Sequence, residues 1–334
     1  MSDAKKAMPL LGSSPHISSV YDTRKIMAVM IIALVPAAVA GVIHFGIQVL
    51  FTILVSVAAA ELAEFLFRKI TKQVPRNSDL SAAITGLLLA LIVPPLTPYW
   101  MTALGAIFAI VVAKEFFGGL GANVFNPALV GRAFLLMSFP AVMTTWHVPA
   151  GAANFTVSTA DVLTSATPMS MLQTGGVLSS LGGNYFEIVR AFLLGNHGGS
   201  IGETSIVAIL AGFIFLLITR VIDWRTPVFM LASVSILSFF LGRDPLIAIL
   251  GGGVFFGAVF MATDYATTPL NSKGKIIFGV GAGVIIVFIR QWGSYPEGVA
   301  YSILIMNALT PYLNRLLPKK FGYVKPAGAK GDGK

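Results

Sequence analysis

The sequence predicts an all-α polytopic membrane protein: about ten transmembrane helices in two inverted five-helix repeats, some of the helices broken. Three observations carry this. Only 11% of the 334 residues are charged and 56% are hydrophobic, whereas a soluble chain carries about 25% charged residues. Apolar runs of membrane length recur from Ile26 to Leu313. With the N-terminus inside, 20 of the 23 Lys and Arg residues fall on inner loops, helix ends and tails, and only Arg190, Arg243 and Arg290 fall outside. That asymmetry supports both the span count and the orientation. The net charge of +9 is therefore topological, and nucleic acid is not a partner.

Residues 1–25 are polar and hold Lys5, Lys6, Arg24 and Lys25, a cytoplasmic N-terminal segment. The first apolar run passes into the second without a small-residue cleavage site, so no removable signal peptide is expected. The first repeat, 26–142, comprises runs at 26–43, 46–67, 82–97, 101–117 and 127–142. An outward-facing interval rich in Gly, Ser, Thr and Asn follows at 143–205. The second repeat, 206–314, comprises 206–222, 227–241, 246–263, 276–290 and 298–314, and a basic cytoplasmic tail closes the chain at 315–334. Five is odd, so the second half enters the membrane in the opposite sense to the first. Such a layout commonly places a binding site near the bilayer midplane, between broken helices. Gly86 and Pro98 are matched by Gly257 and Pro269 at a shift of 171, and Gly121 and Ala128 by Gly293 and Ala300 at 172.

Several runs are interrupted. The third meets Pro94, Pro95 and Pro98; the fifth starts at Asn126-Pro127, where a first-turn proline loses nothing. The eighth ends in Asp264-Tyr265-Ala266-Thr267-Thr268-Pro269. Irregular backbone at membrane depth must be buried in protein or line a polar cavity, so a ligand is expected at these breaks.

There are no cysteines, so the chain forms no disulfide and supplies no thiolate to an iron–sulfur cluster or zinc site. The four histidines show no i,i+3 or i,i+4 pairing and read as ordinary polar residues. Asp264, with Thr263, Thr267 and Thr268, is the ligand set that a Na⁺ or proton path would use. It reads equally as an interfacial aspartate ending a helix. Glu61 and Glu64 share a helix face near the inner surface, where they snorkel or pair with Arg68. Lys114, Glu115 and Arg132 read as interfacial. Gly118-Gly119-Leu120-Gly121 with Asn123 and Asn126 offers backbone N–H groups to a flavin ring or quinone, or is simply a tight loop feeding a helix. It is not a dinucleotide fingerprint, because it follows a membrane helix and no βαβ unit is available.

Within the outward interval, Asp161-Val-Leu-Thr164-Ser165-Ala166-Thr167-Pro168 resembles the D-x-x-[ST]-[GS]-A-T signature at which a threonine hydroxyl is esterified to the phosphate of FMN. A threonine hydroxyl is a poor nucleophile without a base, and none is adjacent, so attachment requires a separate flavin transferase that reads this peptide. Pro168 biases Thr167 towards an extended, accessible backbone. Four further blocks recur in the same order: Ser14-Pro15-His16-Ile17, Phe117 to Ala128, Met261 to Pro269, and Tyr295-Pro296-Glu297-Gly298-Val299 leading to Asn307. Together these make the chain resemble, over essentially its whole length, the NqrB/RnfD family. The likeness is greater to the RnfD component of the Rnf electron transport complex than to the NqrB component of the sodium-pumping NADH:quinone oxidoreductase. In the NqrB branch glycine is usual where this chain has Ser165.

The resemblance implies a membrane electron-transfer subunit of an ion-translocating ferredoxin:NAD⁺ oxidoreductase, not a complete enzyme alone. It implies a covalent FMN on Thr167, facing outward from a bacterial or archaeal cytoplasmic membrane. A second, non-covalent flavin (riboflavin or FMN) is expected near Asn123, Phe125 and Asn126, or near Thr267 and Thr268. Partners are then the flavin- and iron–sulfur-bearing subunits of the complex, with ferredoxin and NAD reached indirectly. The five-plus-five layout is also that of urea-channel-like folds, so the alternative is a small-solute channel or secondary transporter; fold alone does not decide.

Overall fold

The computed structural model describes residues 22–73, 79–147, 185–293 and 298–315. All regular structure among them is helical. Asp22 caps α1 (Thr23–Phe45), its carboxylate accepting the Thr23 N–H at 2.8 Å. Gly46, at φ 88°, turns the chain into α2 (Gln48–Ile70). Then come α3 (Ser81–Ile92), α4 (Tyr99–Val111) with a short 3₁₀ turn at Glu115–Phe117, α5 (Pro127–Ser138) and the one-turn α6 (Pro140–Met143). The second part comprises α7 (Tyr185–Leu194), α8 (Ile206–Ile218), α9 (Arg225–Phe240), α10 (Pro245–Leu250) and α11 (Val254–Phe256). A π-helical turn at Gly257–Met261 continues from α11, and α12 (Ser272–Trp292) and α13 (Val299–Asn314) complete the chain.

Four stretches are long and apolar enough to cross a bilayer: Thr23–Phe45, Gln48–Ile70, Tyr99–Phe117 and Ser272–Trp292. Four shorter apolar helices lie among them: α3, α5, α8 and α9. The outer faces carry exposed Ile43, Ile70, Ile218, Phe239 and Phe240, surfaces that hydrocarbon accepts and water penalises. The chain is a multi-pass membrane protein.

The breaks after α3 and α5 fall at prolines, whereas the run 246–263 breaks at Gly251-Gly252-Gly253, two of them at positive φ. The run 82–97 is helical only to Ile92, so its 12 residues rise about 18 Å, short of the roughly 30 Å hydrocarbon core. The run 127–142 divides at Phe139, and 246–263 becomes α10, α11 and the π turn. α7 is a helix within the interval 143–205.

Helix pairing follows one order in both halves. α2 packs on α3 and α4, and α4 on α5; likewise α9 packs on α10 and α12, and α12 on α13. The halves meet through α1 against α8 and α5 against α13. Small residues set these distances, as membrane helices require. The Gly86 Cα faces the backbone of Ser56 and Val57, while its carbonyl accepts the Ser56 hydroxyl at 2.7 Å. Gly212 lies directly on the Ala33 carbonyl at the α1–α8 crossing. A Cβ there has nowhere to go, because the obstacle is backbone. Gly212→Ala is expected to separate the halves and cost about 1–3 kcal/mol, read as a lowered melting temperature in detergent; Gly46→Ala, with nothing within 4 Å of the new Cβ, pays only the strain of its positive φ.

Candidate functional site

Breaking a helix inside the membrane frees backbone groups, and the structure shows what takes them. The segment Gly195–Ser205, between α7 and α8, is buried almost throughout. Its Ile201 and Gly202 N–H groups donate to the carbonyls of Val93 (3.3 Å) and Leu91 (2.7 Å), the last groups of α3 before its break. Gly202 fits because a Cβ would strike Leu91 and Phe256. The next residue, Glu203, pairs with Arg132 of α5 (Nη1 to Oε1, 3.0 Å). The Glu203 carboxylate also lies over Gly253, at the α10–α11 break. One polar segment thus touches the broken helix of each half.

Arg290, near the end of α12, serves the second break. Its guanidinium donates to the carbonyls of Ala248 (2.7 Å), Gly251 (2.9 Å) and Gly252 (3.2 Å). These are the C-terminal carbonyls of α10, which have no intrahelical partner. One of the three departures from the charge asymmetry is therefore a buried structural cation.

At the other end of the molecule lies a four-charge cluster. Lys114 Nζ donates to Glu64 (2.7 Å) and to the Ser81 hydroxyl (2.6 Å), which in turn donates to Asp79 (2.6 Å). Arg68 makes a two-point contact with Glu115 at 3.1 Å. Its Nη2 also lies 3.3 Å from Glu64, an ion-pair distance without hydrogen-bond geometry. Lys114, Glu64, Glu115 and Arg68 are all buried, and the two acids balance the two bases. The expected Glu64–Arg68 pair is present, and Lys114, Glu115 and Arg132, read from the sequence as interfacial, are buried within the protein. They are interior groups, because a broken span leaves polar backbone and room for them inside the bundle.

The loop Gly118–Asn126 emerges beside this cluster. Gly118, Gly119 and Gly121 have φ of 109°, 92° and 88°. Gly119 lies against Arg68 and Glu115, whereas Gly121 faces open space. Asn123 braces the loop, accepting from Gly121 N–H (3.2 Å) and donating to Phe125 O (3.1 Å). Asn126 caps α5 through the Ala128 and Leu129 N–H groups. Asp264 follows the π turn. The Thr267 hydroxyl donates to its carboxylate (2.9 Å) and the Thr268 hydroxyl to its backbone carbonyl (2.6 Å), while Thr267 O accepts from Thr310 of α13 (2.9 Å).

The structure therefore joins Asp264, Thr267 and Thr268 in one closed turn, and Asn123, Phe125 and Asn126 in another. Asp161, Thr164, Ser165, Ala166 and Thr167 lie outside the described residues. Sequence reasoning missed Glu203 and the role of Arg290. Glu203 had one visible signal, an acid in an interval with few charges, and Arg290 stood out only as an exception.

The fold and these contacts define a multi-pass helical membrane protein whose broken spans are held by buried charges. The model of the NQR2, RnfD, RnfE family matches residues 10–322, and the chain belongs to that family. It is 42% identical over 329 residues (95% of this chain, 97% of the relative) to the D component of the proton-translocating ferredoxin:NAD(+) oxidoreductase complex of Clostridium ljungdahlii. It is 40% identical (94% and 96%) to the D component of the Na(+)-translocating ferredoxin:NAD(+) oxidoreductase complex of Acetobacterium woodii. It is 37% identical (89% and 92%) to the D component of the ion-translocating oxidoreductase complex of Stutzerimonas stutzeri.

Removing one partner of a buried pair leaves an uncompensated charge, at about 3–5 kcal/mol. Glu203→Ala and Arg132→Ala are each expected to cost that much. The double variant Arg132→Ala/Glu203→Ala should cost less than their sum, which a double-mutant cycle by chemical or thermal unfolding measures.

Proposed function

We propose that this chain is the membrane electron-transfer subunit of an ion-translocating ferredoxin:NAD⁺ oxidoreductase, with FMN esterified to Thr167 on the outer side of a cytoplasmic membrane. The observation that carries this is a family match along nearly the whole chain combined with the complete motif from Asp161 to Thr167. Bound through its phosphate, the flavin keeps an unaltered ring and supplies electron transfer, while the protein positions it. Asp161, Thr164, Ser165 and Ala166 form the peptide that a flavin transferase reads. The electron donors and acceptors are the flavin- and iron–sulfur-bearing subunits of the same complex.

For a second, non-covalent flavin the loop at Asn123, Phe125 and Asn126 fits better than the turn at Thr267 and Thr268. At Gly121 the loop has an open face, beside amides already oriented by the backbone. In the other turn both threonine hydroxyls are occupied within the turn itself. The ion path, in this reading, runs past Asp264, a carboxylate at the end of a helix whose C-terminal dipole favours cations. Relatives named for protons and for Na⁺ stand at 42% and 40% identity, so both ions are served by closely similar chains. The common order of helix pairing in the two halves supports an inverted five-plus-five repeat, urea-transporter-like in layout, with both termini cytoplasmic.

The test is the intact mass of the native polypeptide, expected to exceed the translated mass by one FMN less water, with flavin fluorescence surviving denaturation. Thr167→Ala should abolish both signals and leave membrane insertion unchanged. A bare translated mass for the native protein refutes the electron-carrier assignment.

A further inference from the structure

α7 belongs to none of the spans, and its 10 residues rise about 15 Å. Its two ends meet different spans at one end of the bundle. At its start, the Tyr185 phenol faces the Asp244 carboxylate, just beyond the end of α9 at Phe240. Past its other end, Gly195 lies against the His44 imidazole, in the last turn of α1. Between the two, Phe192 lies 3.4 Å from where a Cβ of Gly251 would stand. Gly251 O accepts in turn from Arg290, in the last turn of α12. α9 and α12 run parallel, because Asp223 and Lys275 pair at their starts (3.1 Å) and Ser233 meets Gly283 further along. A helix that reaches from the end of one span to the end of another lies across the span axes, at the level where the bilayer meets water.

The faces of α7 differ in kind. Ile188, Ala191 and Phe192 are buried against the bundle. Phe186, Val189 and Leu193, at i, i+3 and i+7, make an apolar edge on one side of that face, and Phe186 is 70% exposed. Glu187 and Arg190 make the edge on the other side, exposed and 3.8 Å apart. We infer that α7 is an interfacial helix docked on lipid, its Phe186 edge seated among acyl chains just below the headgroups and its Glu187–Arg190 edge in water. The occupant is the bilayer because the apolar edge continues a surface that hydrocarbon already faces. α9 ends in exposed Phe239 and Phe240, and the approach of Tyr185 to Asp244 sets the start of α7 beside them. Tyr185, half apolar and half polar, suits that boundary. The interval 143–205 is thereby held to the membrane surface by its own helix before the chain turns inward at Gly195. This goes beyond the electron-transfer reading and is independent of flavin attachment.

The chain's lack of cysteine makes the test direct. Phe186→Cys and Glu187→Cys are each introduced into the full-length chain, spin-labelled and reconstituted into phosphatidylcholine vesicles. Collision of the nitroxide with O₂, which concentrates in hydrocarbon, is then compared with collision with a water-soluble nickel chelate. The ratio of O₂ to nickel access is expected to be about tenfold higher at 186 than at 187, the two positions lying on different edges of a helix roughly 10 Å wide. A ratio at 186 no higher than at 187 places the apolar edge in water and overturns the inference. Low access to both reagents at 186 means that protein covers the edge, and overturns it equally. If Phe186→Cys does not insert, Phe186→Trp keeps a ring there. Its added fluorescence should be quenched by brominated lipid, and quenching by aqueous iodide instead refutes the docking.

Discussion

Every irregular stretch of backbone inside a hydrocarbon layer must find partners within the protein, because no solvent is present to supply them. This constraint organises the molecule. The end of α3 is paired by the amides of Ile201 and Gly202, and the end of α10 by the Arg290 guanidinium. Those two devices allow spans to stop part-way, and stopping part-way creates the interior room in which Glu203, Arg132 and Lys114 can be held. Had α3 continued straight to Pro98, the Gly195–Ser205 segment would have nothing to pair with and no reason to enter.

The charges follow the same logic at both ends. Lys114 lies just beyond α4 and reaches to Ser81 at the start of α3; Arg290 lies near the end of α12 and reaches to the end of α10. In each half, a cation on the long helix secures a short one. Buried pairs of this kind add little net stability over apolar packing. What they contribute is position: a broken helix tied to a fixed cation cannot slide along its neighbour without losing charge-assisted hydrogen bonds.

Much of this was legible in the sequence. Pro94, Pro95 and Asn126-Pro127 mark backbone that cannot continue as helix, and the structure stops or starts there. The low charge and the long apolar runs announce the membrane, and the family resemblance carried by five blocks is borne out over residues 10–322. Burial was harder to read. Lys114, Glu115 and Arg132 resemble interfacial residues because hydropathy records how far a residue is from a span's end, not whether another segment folds over it. Glu203 pairs with a residue 71 positions away, and no local pattern encodes such a contact.

That separation bears on biogenesis. Arg132 enters the bilayer with α5 before its counter-ion has been synthesised. At translation rates of about 5–20 residues per second, the 71 residues to Glu203 take roughly 4–14 s to emerge. During that interval the Arg132 guanidinium has not yet met the Glu203 carboxylate. Final seating of α5 is thus a late event, set by the ribosome's arrival at residue 203 and beyond.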